Sequence, residues 1–450
     1  MINDTTKYPF YSDKGYKYDM FTDFDPKKLS NMCMIINHYI NKLDLSMLEK
    51  HCKSDKVKGG RPRFKFSRLL KIYLYSVYNH ISFRKLENMF VYGSEFSYLN
   101  DGELSHPKRS TMSDFISILD EHIKEIFNQF VTLISKELSL KLEEIFCDGT
   151  VYEANNNRHK IITKDNVERS NRSQQNILNN TLSTDEQITN AKDRLIRNLK
   201  RTENLKIYSR DSYGINDSEA VIIQDKNKSY IAGYNVLLFE ESEYGLIIFN
   251  YLSNLNPDSS AFIKAYEKFS EIYKITKLTA DRGYLSVEII KQFKKDGVVF
   301  VSRKKGNNFR DLHPDWKVSK DYRTITCPNN NNLELMNSKN GNYSIFRCRD
   351  SKTCVDPKCS KSMQNTHVIQ VDIEKIELED ELEIVINTQE NIDSYTKRAN
   401  IAESPFGFTK VNTNNKKLKR IGIKRNETTI YVLSILYNLS RLISIKNYAK

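Results

Sequence analysis

The chain has 450 residues, too many for one small core, so two or three units are expected. Hydrophobic residues make up 39% and aromatic residues 11%, enough to build cores and to exclude global disorder. Lys and Arg number 70 against 57 Asp and Glu, a net charge of +13 that favours a polyanionic partner, although a Lys- and Asn-rich coding bias gives the same surplus.

The start, MINDTTKYPFYSDKGYKYDM, has no apolar segment of the secretory kind. The most apolar run, Ile430–Ile445, is interrupted by Asn438, Ser440 and Arg441, which predicts an amphipathic helix and no membrane span. Seven cysteines, three of them isolated at 33, 52 and 147, do not form a disulfide framework and fit a reducing cytoplasm.

In chain order, residues 1–140 read as an all-α N-terminal domain for DNA binding or dimerisation. The basic loop KSDKVKGGRPRF is punctuated by Gly59, Gly60 and Pro62. After it, SRLLKIYLYSVY places Leu69, Leu70, Tyr73, Leu74 and Val77 on one helical face. Ser82 is the expected N-cap of the short helix FRKLENMF, with Arg84 and Lys85 on its outer side, and Thr111–Glu137 continues as helix. Two helices joined by a turn suit either DNA contact or plain helical packing.

At Leu142 the pattern changes to LEEIFCDGTVYEA, read as a buried strand ending at Asp148. Residues 155–215 are a polar, partly helical insertion, with Ile188–Leu205 dominated by Lys and Arg. Tyr230–Asn254 reads as a hairpin turning near Glu241–Tyr244; Ser259–Tyr273 and Ser286–Asp296 are helices, and ITKLTAD and VVFVSR are strands. That order belongs to an α/β domain spanning 141–305 and 387–450, interrupted by a small Cys-rich insert at 306–386.

Ligands of α/β sheets gather beyond the carboxyl ends of strands. Asp148 and Asp281 each close a predicted strand, with Gly149 and Gly283 close behind, which suits either a turn or a projecting carboxylate. Two such carboxylates make a natural Mg²⁺ site, and a third completes a two-metal site. Topology does not single out the third acid among Glu403, Asp393, Glu390 and Glu427. Glu403 is favoured because IAESPFG opens a helix with Pro405 in its first turn and Lys410 two turns on along the same face.

Cys327, Cys348, Cys354 and Cys359, spaced C-x20-C-x5-C-x4-C, are either four ligands of a structural Zn²⁺ or four reduced thiols, with His367 as a substitute ligand. A bound metal there serves to stabilise an insert with little core of its own. Basic residues cluster at Lys56–Arg68, Arg194–Arg201 and Lys410–Arg425 and are expected to meet phosphates without reading sequence.

Three stretches, IFCDGTVYEANNNR, LTADRGYLSVEIIKQFKKDG and RANIAESPFGFTKV, resemble the catalytic segments of bacterial insertion-sequence transposases of the DDE type. Residues 60–115, AGYNVLL and the closing LSILYNLSRL resemble further blocks in the family's order. The resemblance implies an RNase H-like catalytic domain, a mixed sheet flanked by helices, behind a helical DNA-binding domain. It places the catalytic acids at Asp148, Asp281 and Glu403, holding two Mg²⁺ or Mn²⁺ ions, with Tyr395, Arg398 and Lys410 as companions. Between Arg398 and Glu403 the spacing is one residue longer than usual. The implied partner is double-stranded DNA, both the transposon's terminal inverted repeats and its target, met by Arg61, Arg63, Arg84, Lys85, Arg398, Lys410, Lys419 and Arg420, with a homodimer on paired ends. Similar cysteine clusters in the family favour zinc. The alternatives are an RNase H-like nuclease without strand transfer and a derivative that only binds DNA.

Overall fold

The computed structural model describes residues 29–448 except 51–63, 304–315, 349–367 and the short stretches 93, 104, 158–159, 225–228, 256–257, 328–329 and 341–342. Arg61, Arg63, Cys354, Cys359 and His367 lie outside the described residues. The chain is mixed α/β and divides into two compact units, residues 1–273 with 400–450, and residues 274–399. The second unit thus takes the strands read at ITKLTAD and VVFVSR together with the Cys-rich segment, where the sequence suggested a boundary at 305.

The N-terminal part of the first unit is helical among the described residues: Asn31–Ile40, Ser46–Glu49, Phe66–Tyr78, Phe83–Tyr92, Ser94–Leu99 and the long Arg109–Leu138. The apolar face expected of Phe66–Tyr78 is buried, with Leu69, Leu70 and Leu74 at most 4% exposed. Among these side chains sits Lys71, fully buried, its ammonium donating to Asn37 Oδ1 at 3.0 Å, Asn41 Oδ1 at 3.3 Å and Asp101 Oδ1 at 2.5 Å. Burial lowers its pKa and the Asp101 carboxylate pulls it back up, as for a cation that is kept buried by its partners.

The sheet of this unit is antiparallel. β1 (Glu144–Glu153) pairs along its whole length with β5 (Tyr230–Glu241). The other edge of β5 takes β4 (Val221–Gln224) at its start and β6 (Ile247–Ser253) further on. The β5–β6 turn is held by Glu241, whose buried carboxylate accepts the backbone N–H groups of Glu243, Tyr244 and Leu246 at 2.8, 2.8 and 3.0 Å. Between β1 and β4, the polar insertion is a two-helix hairpin, Lys164–Asn179 and Asp185–Ile207, closed at its base by β2 (Ile161–Thr163) on β3 (Ser212–Gly214).

The closing helix Ile423–Tyr448 departs from the amphipathic helix expected of it. Residues 430–439 are all buried, because the helix packs against Arg109–Leu138, against β6 and against Asn31–Ile40 at once. Of the polar residues taken as interruptions, Asn438 donates to Ile247 O at 2.7 Å and accepts Ile247 N at 2.8 Å, and Arg441 donates to Tyr244 O at 2.6 Å; Ser434 in the same helix accepts from Asn250. Among the described residues this is the one helix long and apolar enough to cross a membrane, and 67% of its apolar window is buried within the protein.

The second unit opens with β7 (Lys277–Ala280), the helix Val287–Asp296 and β8 (Val299–Val301), parallel to β7. Ser286 caps that helix by accepting Ile289 N, and Gly297 ends it at φ +69°, a left-handed position that glycine takes without strain. The acidic helix Ile373–Ile386 packs on it through Ile290, Leu378 and Leu382, with Lys291–Glu374 and Lys294–Glu381 ion pairs flanking the contact. Between them lies a five-stranded antiparallel sheet, β9 (Lys317–Val318), β10 (Thr324–Thr326), β11 (Asn332–Asn340), β12 (Tyr343–Cys348) and β13 (Val368–Val371), in sequential order. This segment was expected to have little core. Instead Trp316, Ile325, Leu333, Phe346, Val371 and Ile376 form one, and Cys327 and Cys348 are buried in it.

Candidate active site

Asp148 lies in the middle of β1, which corrects its expected place at a strand end. Gly149 makes no turn there: it pairs with Leu237, and the ladder runs on to Glu153 opposite Gly233. Period-two alternation puts Asp148, Thr150 and Tyr152 on one face of β1. On that face Asp148 and Thr150 are half-buried between the buried Phe146 and Tyr152.

The chain that covers this face is the segment after Ala402. Glu403 is exposed and caps the short helix Ser404–Gly407, which has Pro405 in its first turn, as the sequence suggested. The helix then widens into a π-helical turn, Phe408–Asn412, a form that recurs at functional sites. Widening alters the expected helical phase of Lys410. Thr409 Oγ1 meets Tyr152 Oη at 2.5 Å, and the Lys410 ammonium donates to Thr150 Oγ1 at 2.6 Å and to Val151 O at 2.9 Å, over the Tyr152 ring. Lys410, expected on a phosphate, is here a clamp on the strand that carries Asp148.

In the second unit, Asp281 directly follows β7 and precedes the 3₁₀ turn Arg282–Tyr284, so it does stand at a strand end. The helix Gln389–Ala402 runs along β7 in step: Lys277 pairs with Glu390, Thr279 Oγ1 with Ser394 Oγ at 2.9 Å, and Asp281 with Tyr395 and Arg398. Two strand residues advance about 6.6 Å and four helical residues about 6 Å, so the two elements keep register. Tyr395 Oη donates to Asp281 Oδ1 at 3.3 Å, and Arg398 Nη1 lies 3.8 Å from the same oxygen. Burial raises the Tyr395 pKa, and the Asp281 charge adds to it, so the phenol stays a donor. Arg398 is 6% exposed, an inward placement for a residue read as a DNA contact, while the Asp281 side chain is 45% exposed.

Arg303 was missed by sequence reasoning. The β7–β8 register pairs Thr279 with Val301, and Arg303, two residues on, lays its guanidinium 4.7 Å from the Tyr395 ring centre. A basic residue just past a strand parallel to the one bearing Asp281 was the available signal. Of the rival acids, Glu390 is taken by Lys277 and Asp393 by Gln389, while Glu427 in the first unit has its pKa raised by burial.

Arg84 and Lys85 are exposed on Phe83–Tyr92, and Lys419 is exposed. Arg420 is committed elsewhere: its two terminal nitrogens meet the two Asp120 oxygens at 2.5 and 2.6 Å. Among the described residues no three His, Cys, Asp or Glu side chains gather closely enough to hold a metal ion.

Comparison with known proteins places these features in a family. A family model described as Transposase DDE domain matches residues 326–443, a range that holds Tyr395, Arg398, Glu403 and Lys410 but neither Asp148 nor Asp281. A second, described as Transposase domain (DUF772), matches residues 23–117. No curated protein matches the sequence. A solved structure, the cryo-EM piggyBac transposase synaptic complex with hairpin DNA, is 11% identical over 92% of this chain and 79% of that one, with a TM-score of 0.26, too low to carry an argument. The two family matches, one in each half, support an insertion-sequence transposase of the DDE type, with a transposase domain ahead of a DDE domain.

Proposed function

We propose that this transposase cuts DNA at the ends of its element and joins them to target DNA with Asp148, Asp281 and Glu403 as its catalytic acids, in an RNase H-like catalytic domain. The observation that carries the reading is the pair of dedicated settings: β1 presents Asp148 under the Lys410 clamp, and the end of β7 presents Asp281 between Tyr395 and Arg398. Both carboxylates keep accessible surface, and Glu403 is exposed. Hard carboxylate oxygens suit Mg²⁺ or Mn²⁺, which DDE transposases use, and two such ions supply activation of the attacking oxygen and neutralisation of the leaving one.

The chain's own residues do the positioning. Tyr395 and Arg398 hold Asp281 Oδ1, on a side chain that stays 45% exposed. Lys410 fixes the π-helical turn on the Asp148 face and, with it, the start of the helix that Glu403 caps. The partner is double-stranded DNA with the element's terminal inverted repeats, and the exposed Arg84, Lys85 and Lys419, together with Arg61 and Arg63, are the expected phosphate contacts. Residues 1–140 supply the DNA-binding module, and the protein works in the cytoplasm.

The test uses the full chain and a plasmid carrying the element with its flanking repeats. With Mg²⁺ the protein nicks at the repeats and joins the ends to a second plasmid. With EDTA both reactions stop, and Mn²⁺ restores them. Equal cutting of any duplex with no joining is the result that sinks the reading in favour of a plain nuclease.

We also propose a structural Zn²⁺ held by Cys327 and Cys348 with Cys354 and Cys359. What supports it is that the first two thiols are buried in one small core and in no disulfide. Atomic absorption on purified protein is expected to give one zinc per chain, lost in Cys348→Ser; a metal-free wild type overturns the site.

A further inference from the structure

The helical hairpin 164–207 leaves apolar side chains on its outer face. The face of Asp185–Ile207 turned to the first helix buries Ala191, Asn198 and Leu205, and Asn198 bridges to Ser170 and Asn171 at 2.9 and 2.8 Å. Its outer face carries Ile196, Leu199 and Ile207, exposed by 55, 64 and 71%. The apolar side chains left outside are more than the hairpin's own small core, Val167, Leu205 and Tyr213, takes in.

The outer residues keep heptad spacing: Lys192, Ile196, Leu199 and Glu203 follow each other at intervals of four, three and four, the a/d seam of a coiled coil. Such a seam packs an antiparallel copy of itself with each a position on a d position of the partner. A two-fold axis between Ile196 and Leu199 sets Ile196 on Leu199 of the second copy and Lys192 on Glu203 of the second copy, each twice. The two Lys192–Glu203 pairs that this axis makes give the seam complementary charge in the antiparallel pairing.

We infer that this stripe is a self-association surface, by which two copies of the chain pair antiparallel through Asp185–Ile207. The patch is small for a stable interface, so the association is weak for the free protein and strengthened when two copies share one DNA.

Charge reversal tests it on the full chain. Sedimentation equilibrium at roughly 1–100 µM gives the dimer constant of the wild type. Lys192→Glu and Glu203→Lys each set two like-charged pairs in the seam and are expected to weaken the dimer roughly tenfold. The double variant K192E/E203K restores the pairs and recovers the wild-type constant. Leu199→Glu, at an exposed position that leaves the fold intact, abolishes the dimer. A monomeric wild type, single reversals without effect, or a double variant as weak as the singles overturns the inference. So does a change in salt-dependent DNA affinity with association unaltered, which makes the stripe a DNA surface. Metal-dependent nicking, measured on the same variants, reports on the catalytic acids separately from association.

Discussion

Asp148→Asn is expected to abolish both end cleavage and joining, by at least about a thousandfold, while leaving the fold intact. Asn keeps the shape of the side chain in the middle of β1, and the strand is held by nine register pairs with β5 that the substitution does not touch. What it removes is charge: an amide oxygen is a poor ligand for a hard cation beside a carboxylate, and ligands of that kind govern activation and leaving-group stabilisation together. The thermal midpoint should stay within about 2 °C of wild type, since surface-accessible isosteric changes move stability by about 0.5 kcal/mol. Asp281→Asn and Glu403→Gln are expected to behave alike, for the same reason. The comparison that gives the result meaning is with the rival acids. Glu390→Gln and Asp393→Asn should retain activity, because their carboxylates are spent on Lys277 and Gln389. If Glu390→Gln or Asp393→Asn were the dead variant and Glu403→Gln active, the third acid would have been misplaced.

The settings of these acids were legible in the sequence to different depths. ITKLTAD followed by Arg-Gly is a short apolar run and a stop, and the strand ends where that pattern says, at Ala280, with Asp281 next. IFCDGTVYEA has the same local look, yet its Asp-Gly sits inside a ten-residue strand. The difference is tertiary: β5 is buried from Ile231 to Glu241, and its ladder continues past Gly149 where a lone strand would have turned. Tyr395 and Arg398 were visible only by resemblance, because a helix residue that reaches a strand is fixed by packing and not by spacing along its own element; Lys410 was also read from helical phase, which the π-helical turn alters. Between Arg398 and Glu403 the helix Gln389–Ala402 ends, and Glu403 stands at the N-cap position of the next. The closing helix was misread for a related reason. Asn438 and Arg441 look like polar interruptions until their partners, Ile247 on β6 and the Tyr244 carbonyl in the β5–β6 turn, are known, and only then does the run 430–439 read as buried on all sides.

The basic train after Lys410 poses the same question, and one residue decides it. Arg420 reads as a phosphate contact in sequence, but its fork is closed on Asp120, whose side chain is 9% exposed, and Thr428 Oγ1 donates to the same carboxylate at 2.7 Å. Lys424 pairs with Glu121 beside it, and Glu219 accepts Ile423 N at 2.7 Å at the start of the closing helix. These contacts tie the middle of Arg109–Leu138 to the first turn of Ile423–Tyr448, where a carboxylate also complements the helix dipole. Asp120→Ala leaves the guanidinium and the Thr428 hydroxyl without their acceptor, and about 2–3 kcal/mol of stability should go with it, discounted for the Arg420 surface that water still reaches. For a unit of this size that is a fall of roughly 3–5 °C in thermal midpoint, read by calorimetry. The sign of the DNA response separates the two roles. If Arg420 is a lock, Asp120→Ala lowers the midpoint and leaves DNA affinity and its salt slope unchanged. If Arg420 is a phosphate contact held back by Asp120, releasing it tightens DNA binding, and Arg420→Ala weakens binding uniformly and lowers the salt slope by about one. The bidentate geometry and the low exposure of Asp120 favour the lock: taking Arg420 to a phosphate means leaving a nearly buried carboxylate behind, and that cost falls on the same helices that hold the N-terminal part to the sheet.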